Sequence, residues 1–469
     1  MTHLADLSAH ELARGIRRRD YSPVEVVDAV LARIEERRDL NAFVTVTGDA
    51  ARAAARAAEQ AVMRDEALAP LHGIPFSVKD MTWTQGMRTT YGSYIFEEFV
   101  PASDAESVAR ARAGGAILVG KTTTPEFAHK IHTSTPMGGL TLNPFSPDVT
   151  CGGSSGGAAV AVSAGMGPLA LGTDGGGSVR IPASCCGIVG LKPTLGRIPD
   201  SEAVDAFAAS AHVGPMARDV AGTRLLFEAI EGFHRDDPYG QAVPPQATER
   251  RDLKGLRVGW MRLCGNSRVE REVDRLTSRT VSQMEAMGAR VEEVEVDFAG
   301  LEPYFFVFME TRMYRSLKDH IDRFRDRIDP TIIPHFENGS RHTALDYIEA
   351  LSARTRAFKA VQAILERVDV IVSPTMAAPP LPHAQDPHGP VVIDGVEVGR
   401  VRHSWYPYTL GFNMTGHPAI SIPCGLTEAG LPVGFQIAAG WYREELILDV
   451  AAQVESALGF EARPAGRVR

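Results

Sequence analysis

The sequence predicts an α/β protein: one large domain with a central mixed, mostly parallel twisted sheet covered by helices on both faces. Two observations carry this expectation. Short β-branched runs alternate with helical patterns along nearly the whole chain, which is what a sheet layered between helices requires. The composition, 44% hydrophobic and 23% charged over 469 residues, also supplies enough apolar side chain for one large core.

The elements follow in order. The first twenty residues alternate charged and apolar positions at helical spacing. Ser22-Pro23 then opens an amphipathic helix over 22–38, with Val24, Val27, Val30, Leu31 and Ile34 along one face. An Ala/Arg-rich stretch, 49–66, predicts another helix. "GIPFSVKD" (73–80) is short, β-rich and bounded by glycine, so it predicts a strand ending at Lys79. A helix near 104–113, the strand "AILVG" (116–120), a small-residue helix after Ser155 and the strand "PLALG" (168–172) come next. Beyond them lie "LRVGW" (256–260), a helix over 268–287, "ARVEEVEV" (289–296), a helix near 345–366, "VDVIVSP" (368–374), "PAISIPC" (418–424), "PVGFQIAA" (432–439) and a last helix over 443–457. The Pro-rich stretch 373–390 is the one long irregular segment and predicts a surface loop or a lid over a site.

Bulk properties exclude several function classes. A formal charge of -9 argues against a protein whose whole surface grips nucleic acid. Five cysteines without a CxxC pair suggest neither a disulfide framework nor a zinc site and fit a reducing, cytoplasmic setting. The start of the chain lacks the apolar core of a signal peptide. The least polar run, 158–172, is interrupted by Ser163, three glycines and Pro168, and is too short to span a bilayer. No metal, cofactor, membrane or nucleic-acid partner is expected, and the chain is expected to be a monomer or homodimer.

Three motifs compete for the chemistry. "GAILVGKT" (115–122) satisfies the phosphate-loop pattern letter for letter, but its middle residues Ala116, Ile117, Leu118 and Val119 form an aliphatic run suited to a buried strand rather than a phosphate cradle. "GGSSGG" (152–157) contains GxSxG twice, yet the turn-like "NPFSPDVTC" before it lacks the strand a hydrolase elbow needs. None of the 14 histidines is singled out by its neighbours as a base. The third is a constellation: Lys79 at a strand end, Ser154 in a Gly-rich loop, and Ser178 after three glycines in "GTDGGGSVR" (172–180). A serine needs a base to become nucleophilic, and a lysine serves if burial keeps its amine neutral.

These residues resemble the amidase signature family. "TCGGSSGGAAVAVSAGMGPLALGTDGGGSVRIPASCCGIVGLKPTLGRIP" (150–199) is similar to the family's signature almost throughout, and "HGIPFSVKD" (72–80) to its lysine segment. "LNPF" (142–145), "HVGPMARDV" (212–220) and the C-terminal "FNMTGHPAISIPCGLTEAGLPVGFQIAAG" extend the likeness over nearly the whole chain. The resemblance implies an N-terminal helical segment (1–65) packed on an amidase signature domain (66–469), with a catalytic core at 73–220 and a variable pocket region at about 299–415. It makes Ser178 the nucleophile, Ser154 a relay preceded by a cis peptide bond, and Lys79 the base. It places an oxyanion hole at the N–H groups of Gly175, Gly176, Gly177 and Ser178. Ser155 would support the relay, and an Asp174–Arg180 pair would brace the loop. Two positions depart from the family pattern: Gly175, where threonine is usual, and Cys151, where proline is frequent.

The implied reaction is hydrolysis of an amide through an acyl-enzyme, with esters and carbamates open to the same chemistry. Family members act on fatty, aryl, peptide, malonyl and carbamate-like substrates, and one branch is the glutaminase component of a tRNA-dependent amidotransferase, the main alternative. A non-enzymatic binding role is a third reading, and the intact Lys79, Ser154 and Ser178 argue against it. Trp83, Tyr91, Phe305, Trp405 and Tyr408 are the expected pocket residues, favouring a hydrophobic or aryl amide.

Overall fold

A computed structural model describes residues 3–203, 205–208, 211–240 and 252–464. Eleven strands form one sheet. In chain order they are β1 (Phe43–Val46), β2 (Pro75–Lys79), β3 (Ile117–Thr122), β4 (Leu169–Asp174), β5 (Val189–Lys192), β6 (His212–Ala217), β7 (Arg257–Trp260), β8 (Arg290–Glu293), β9 (Val370–Pro374), β10 (Ala419–Leu426) and β11 (Pro432–Ala438). They lie side by side as β1-β3-β2-β4-β6-β5-β10-β11-β9-β7-β8.

The sheet is mixed, but parallel pairing is the minority. β2 pairs in parallel with β3 and β4, and β7 with β8 and β9; the other six pairs are antiparallel. The expectation of a mostly parallel sheet is corrected on this point. β5 and β6, which lie in the middle of the sheet, gave no strand signal because "VGLK" and "HVGPMA" carry Gly and Pro rather than an alternating run. β10 and β11 form a hairpin, which is antiparallel by construction.

Helices cover both faces. Ser8 and Ser22 each accept from the amide three residues on while the glutamate there reaches back, so both N-terminal helices, Ala9–Arg18 and Pro23–Glu36, start at capping boxes. The N-terminal segment is not purely helical: its strand β1 pairs antiparallel with β3 at the sheet edge. Ala9, Val27, Val30 and Leu31 join the same continuous core as Val258, Ile371 and Val450, so the N-terminal segment contributes to the main core, while Leu12, Ile16, Val26 and Val62 form a smaller cluster of their own. The small-residue helix Gly156–Ser163 lies tight on its neighbours. A Cβ on Gly157 would stand 2.3 Å from Thr123 Oγ1.

Candidate active site

β2 and β4 are adjacent and parallel, so their C-terminal ends, Lys79 and Asp174, emerge together, and a residue on the loop after β4 is brought to the end of β2. Lys79 is wholly buried. Its Nζ lies 2.7 Å from Ser154 Oγ and 2.9 Å from Thr173 Oγ1. No carboxylate among the described residues lies within ion-pairing distance of it. Burial pushes its pKa down to about 7, against a weaker upward pull from Asp174. The peptide bond before Ser154 is cis. Ser155 is tied to β4 twice, donating from Oγ to the Thr173 carbonyl at 3.1 Å and accepting from the Thr173 amide at 3.2 Å, while its own amide donates to the Ser178 carbonyl at 3.1 Å. The two serine loops are thereby locked to each other. Ser154, Thr173 and Ser178 open onto one cavity of about 330 Å³. No hydrogen bond from Ser178 Oγ occurs among the described residues, so its hydroxyl is available to a ligand.

The loop 174–180 is organised around a buried carboxylate. Asp174 Oδ1 accepts from the Gly177 amide at 2.7 Å, and Oδ2 from the Val179 amide at 3.1 Å and from Arg180 Nε at 3.0 Å. The guanidinium of Arg180, also wholly buried, reaches Asp174, Gln436, Asn413 and the Thr409 carbonyl. Asn413 donates to both the carboxylate and the carbonyl of Asp174. This cationic surround holds the Asp174 carboxyl well below the usual carboxylate range, against a desolvation effect that by itself would raise it.

That pattern corrects the oxyanion assignment. The Gly177 amide is spent on Asp174, so it is not a free donor. Among the described residues the amides of Gly175, Gly176 and Ser178 make no hydrogen bond within the chain, and all three residues line the cavity. Gly177 is required for another reason. Its φ of 121° is a glycine conformation, and a Cβ there would stand 2.3 Å from Thr409 Oγ1.

The predicted aromatics divide. Tyr91 and Phe305 line the cavity. Trp83 sits behind, donating from Nε1 to Tyr91 Oη at 2.6 Å. Trp405 and Tyr408 are buried elsewhere. Trp405 Nε1 donates to the Ala378 carbonyl at 2.9 Å, holding the start of the Pro-rich stretch, and Tyr408 Oη donates to the Arg262 carbonyl at 2.7 Å. From that aromatic run it is Tyr406 that lines the cavity, together with Arg402. The 127–131 loop lies outside the expected pocket region and was missed, whereas the 299–415 region does supply Met309, Arg312, Met313 and Ser316, not singled out by number, which line the cavity beside Phe305 from the helix Glu302–Leu317. Their i, i+4 spacing from Phe305 through Met309 to Met313 was the available signal.

The competing readings fail on geometry. The Lys121 of the phosphate-loop match is a buried residue of β3, and its Nζ is taken by Thr84 and Thr89 hydroxyls at 3.0 and 2.9 Å. Cys151 is wholly buried, and burial pushes its thiol up to about 12, so it is a packing thiol rather than a thiolate. His129 lines the cavity, but its Nδ1 is 2.7 Å from the Glu126 carbonyl and its Nε2 is 2.6 Å from Thr331 Oγ1, leaving no nitrogen free to act as a base. No helix among the described residues is long and apolar enough to cross a membrane.

A buried lysine beside Ser154, in a cavity shared with Ser178 and with unpaired amides at the end of a sheet, is an arrangement suited to acyl transfer. The sequence matches the Amidase family description over residues 25–448, and the chain belongs to the amidase signature family. It is 34% identical to an acylamidase of Rhodococcus erythropolis, over 96% of this chain and 95% of that one. It is 33% identical to the A subunit of the glutamyl-tRNA(Gln) amidotransferase from Geotalea daltonii, over 98% of this chain and 99% of that one. Its fold superposes on the crystal structure of a bacterial aryl acylamidase of the same family with a TM-score of 0.92, at 27% identity and covering 99% of both chains.

Proposed function

We propose that this amidase family hydrolase is a serine-dependent acyl or aryl amidase that cleaves hydrophobic amides through an acyl-enzyme. The observation that carries this reading is Lys79, wholly buried, without a carboxylate partner among the described residues and 2.7 Å from Ser154 Oγ in the cavity that also holds Ser178. A lysine with a pKa near 7 is substantially neutral at neutral pH and accepts a proton. Lys79 takes it from Ser154, and Ser154 takes one from Ser178. Ser178 Oγ attacks the amide carbonyl, and the resulting oxyanion is held by the Gly175, Gly176 and Ser178 amides. Ser154 then protonates the departing amine and recovers a proton from Lys79, which restores the neutral base. Water repeats the sequence on the acyl-enzyme and releases the acid.

The cavity supports a hydrophobic substrate. Met81, Tyr91, Phe127, Ile131, Phe305, Met309, Met313, Leu317 and Tyr406 make up much of its wall. It also weighs against glutamine, the substrate of an amidotransferase reading. Glutamine brings an ammonium group, and none of the described residues lining the cavity is Asp or Glu. The test is hydrolysis of p-nitroanilides by the purified chain, with no other protein present. Turnover is expected, and Ser178→Ala is expected to reduce it on the order of 10⁶-fold. Release of ammonia from glutamine with no anilide turnover would contradict the reading.

A further inference from the structure

Arg402 is the feature of the cavity that amide hydrolysis leaves unexplained. It stands at 8% exposure, and its guanidinium carbon lies 5.0 Å from the Phe305 ring centroid, 5.1 Å from that of Phe306 and 5.5 Å from that of Tyr406. Rings attract a cation, but they do not satisfy its N–H donors as a carboxylate does. Arg402 makes no ion pair and no hydrogen bond among the described residues, and its buried Nε has no acceptor. Glu302, Glu310 and Asp386 line an adjoining outer cavity that Arg402 also borders, and none comes within ion-pairing distance of it.

The other cations on the catalytic cavity are already engaged. Lys130 pairs with Asp329 at 2.5 Å, and Arg312 interacts with other groups of the chain. An unpaired guanidinium in an apolar pocket is costly, and a fork of donors of this kind matches a carboxylate edge to edge. We infer that Arg402 is a substrate-binding residue that takes a carboxylate carried by the substrate away from its scissile bond. The preferred substrates are then amides with one hydrophobic or aryl part and one acidic part, such as the anilide of a dicarboxylic acid. The absence of Asp and Glu from the described lining of this cavity favours the same sign of charge.

This inference rests on the amidase reading, and a matched substrate pair separates the two. The p-nitroanilide of succinic acid, which keeps a free carboxylate, is compared with its methyl ester, which has the same acyl chain and no charge. Wild-type protein is expected to show kcat/KM about ten- to hundredfold higher for the acid, mainly through KM. Arg402→Gln is expected to collapse that ratio toward one, and Arg402→Lys to retain part of it. Because the ratio is taken within each protein, a general loss of activity cancels, and the wild-type comparison stands even if a variant fails to fold. Equal or better turnover of the ester amide by wild type would overturn the inference while leaving the amidase reading intact, as would an unchanged ratio in Arg402→Gln. Turnover of neither anilide would contradict the amidase reading itself.

Discussion

Lys79 carries the residue-scale account, because its chemistry follows from what is missing around its amine. Shut off from solvent and without a paired carboxylate among the described residues, the charged form is penalised by burial and the pKa falls to about 7. The neutral form is the working base, so kcat/KM is expected to rise with pH through about 7 and to fall about tenfold per unit below it. A Lys79→Ala variant is expected to lose about 10²- to 10⁴-fold in kcat. Cys151→Ala is expected to keep most activity, since that thiol is held protonated in the core; a Cys151→Ala protein as inactive as Ser178→Ala would refute a serine nucleophile. The lysine and both serines were legible in the sequence because each stands in its own motif. Their meeting was not, since it depends on the parallel β2–β4 pairing and on the Ser155 hydrogen bonds that lock the two serine loops together. Thr173, the second partner of Lys79, lies within the glycine-rich 172–180 stretch, but a single threonine at a strand end carries no signal of its own.

At the scale of the element, the three glycines of the 175–177 loop have different tasks. Gly177 is fixed by its φ of 121° and by Thr409 against its Cβ position. Gly177→Ala is expected to cost roughly 1–3 kcal/mol of stability and to displace the Ser178 amide, lowering kcat as well. Gly175 meets nothing within 4 Å at its Cβ position and faces the cavity. Gly175→Ala is therefore expected to leave the melting temperature nearly unchanged while trimming the range of accepted acyl groups, measured across a series of anilides of increasing size. Arg180 braces the loop as the sequence suggested, but Asn413, Thr409 and Gln436 complete the brace from more than 200 residues away. Asp174→Asn would leave the Arg180 guanidinium buried against a neutral partner. A loss of about 3–5 kcal/mol in chemical denaturation is expected.

For the whole molecule, the strongly alternating segments were readable, and the central strands were not. β2, β3, β4, β9, β10 and β11 announced themselves as β-rich runs, whereas β5 and β6 carry glycine where neighbouring atoms leave no room for a side chain. A Cβ on Gly214 would meet the Leu191 carbonyl at 2.6 Å, and one on Gly190 would meet Ala183 Cβ at 2.9 Å. The aromatic run 405–408 shows the same limit: composition marked a site-facing segment, but only the turn of the backbone decides that Tyr406 faces the cavity while Trp405 and Tyr408 hold neighbouring segments. The N-terminal segment supplies an edge strand and part of the main core. Deleting residues 1–65 is accordingly expected to abolish folding, read as loss of a cooperative melt; a truncated chain that melts like the full-length protein would show that segment to be an appendage.

The central claim is that Ser178 is activated by a neutral Lys79 acting through Ser154. Its most direct measurement is the rate at which a fluorophosphonate labels the folded protein as a function of pH, with the modified residue located by mass spectrometry. The account predicts a single adduct on Ser178, formed at a rate that falls below about pH 7 and that is sharply reduced in Lys79→Ala and Ser154→Ala. An adduct on Cys151 or His129, or a labelling rate at Ser178 that is independent of pH and of Lys79, would contradict it.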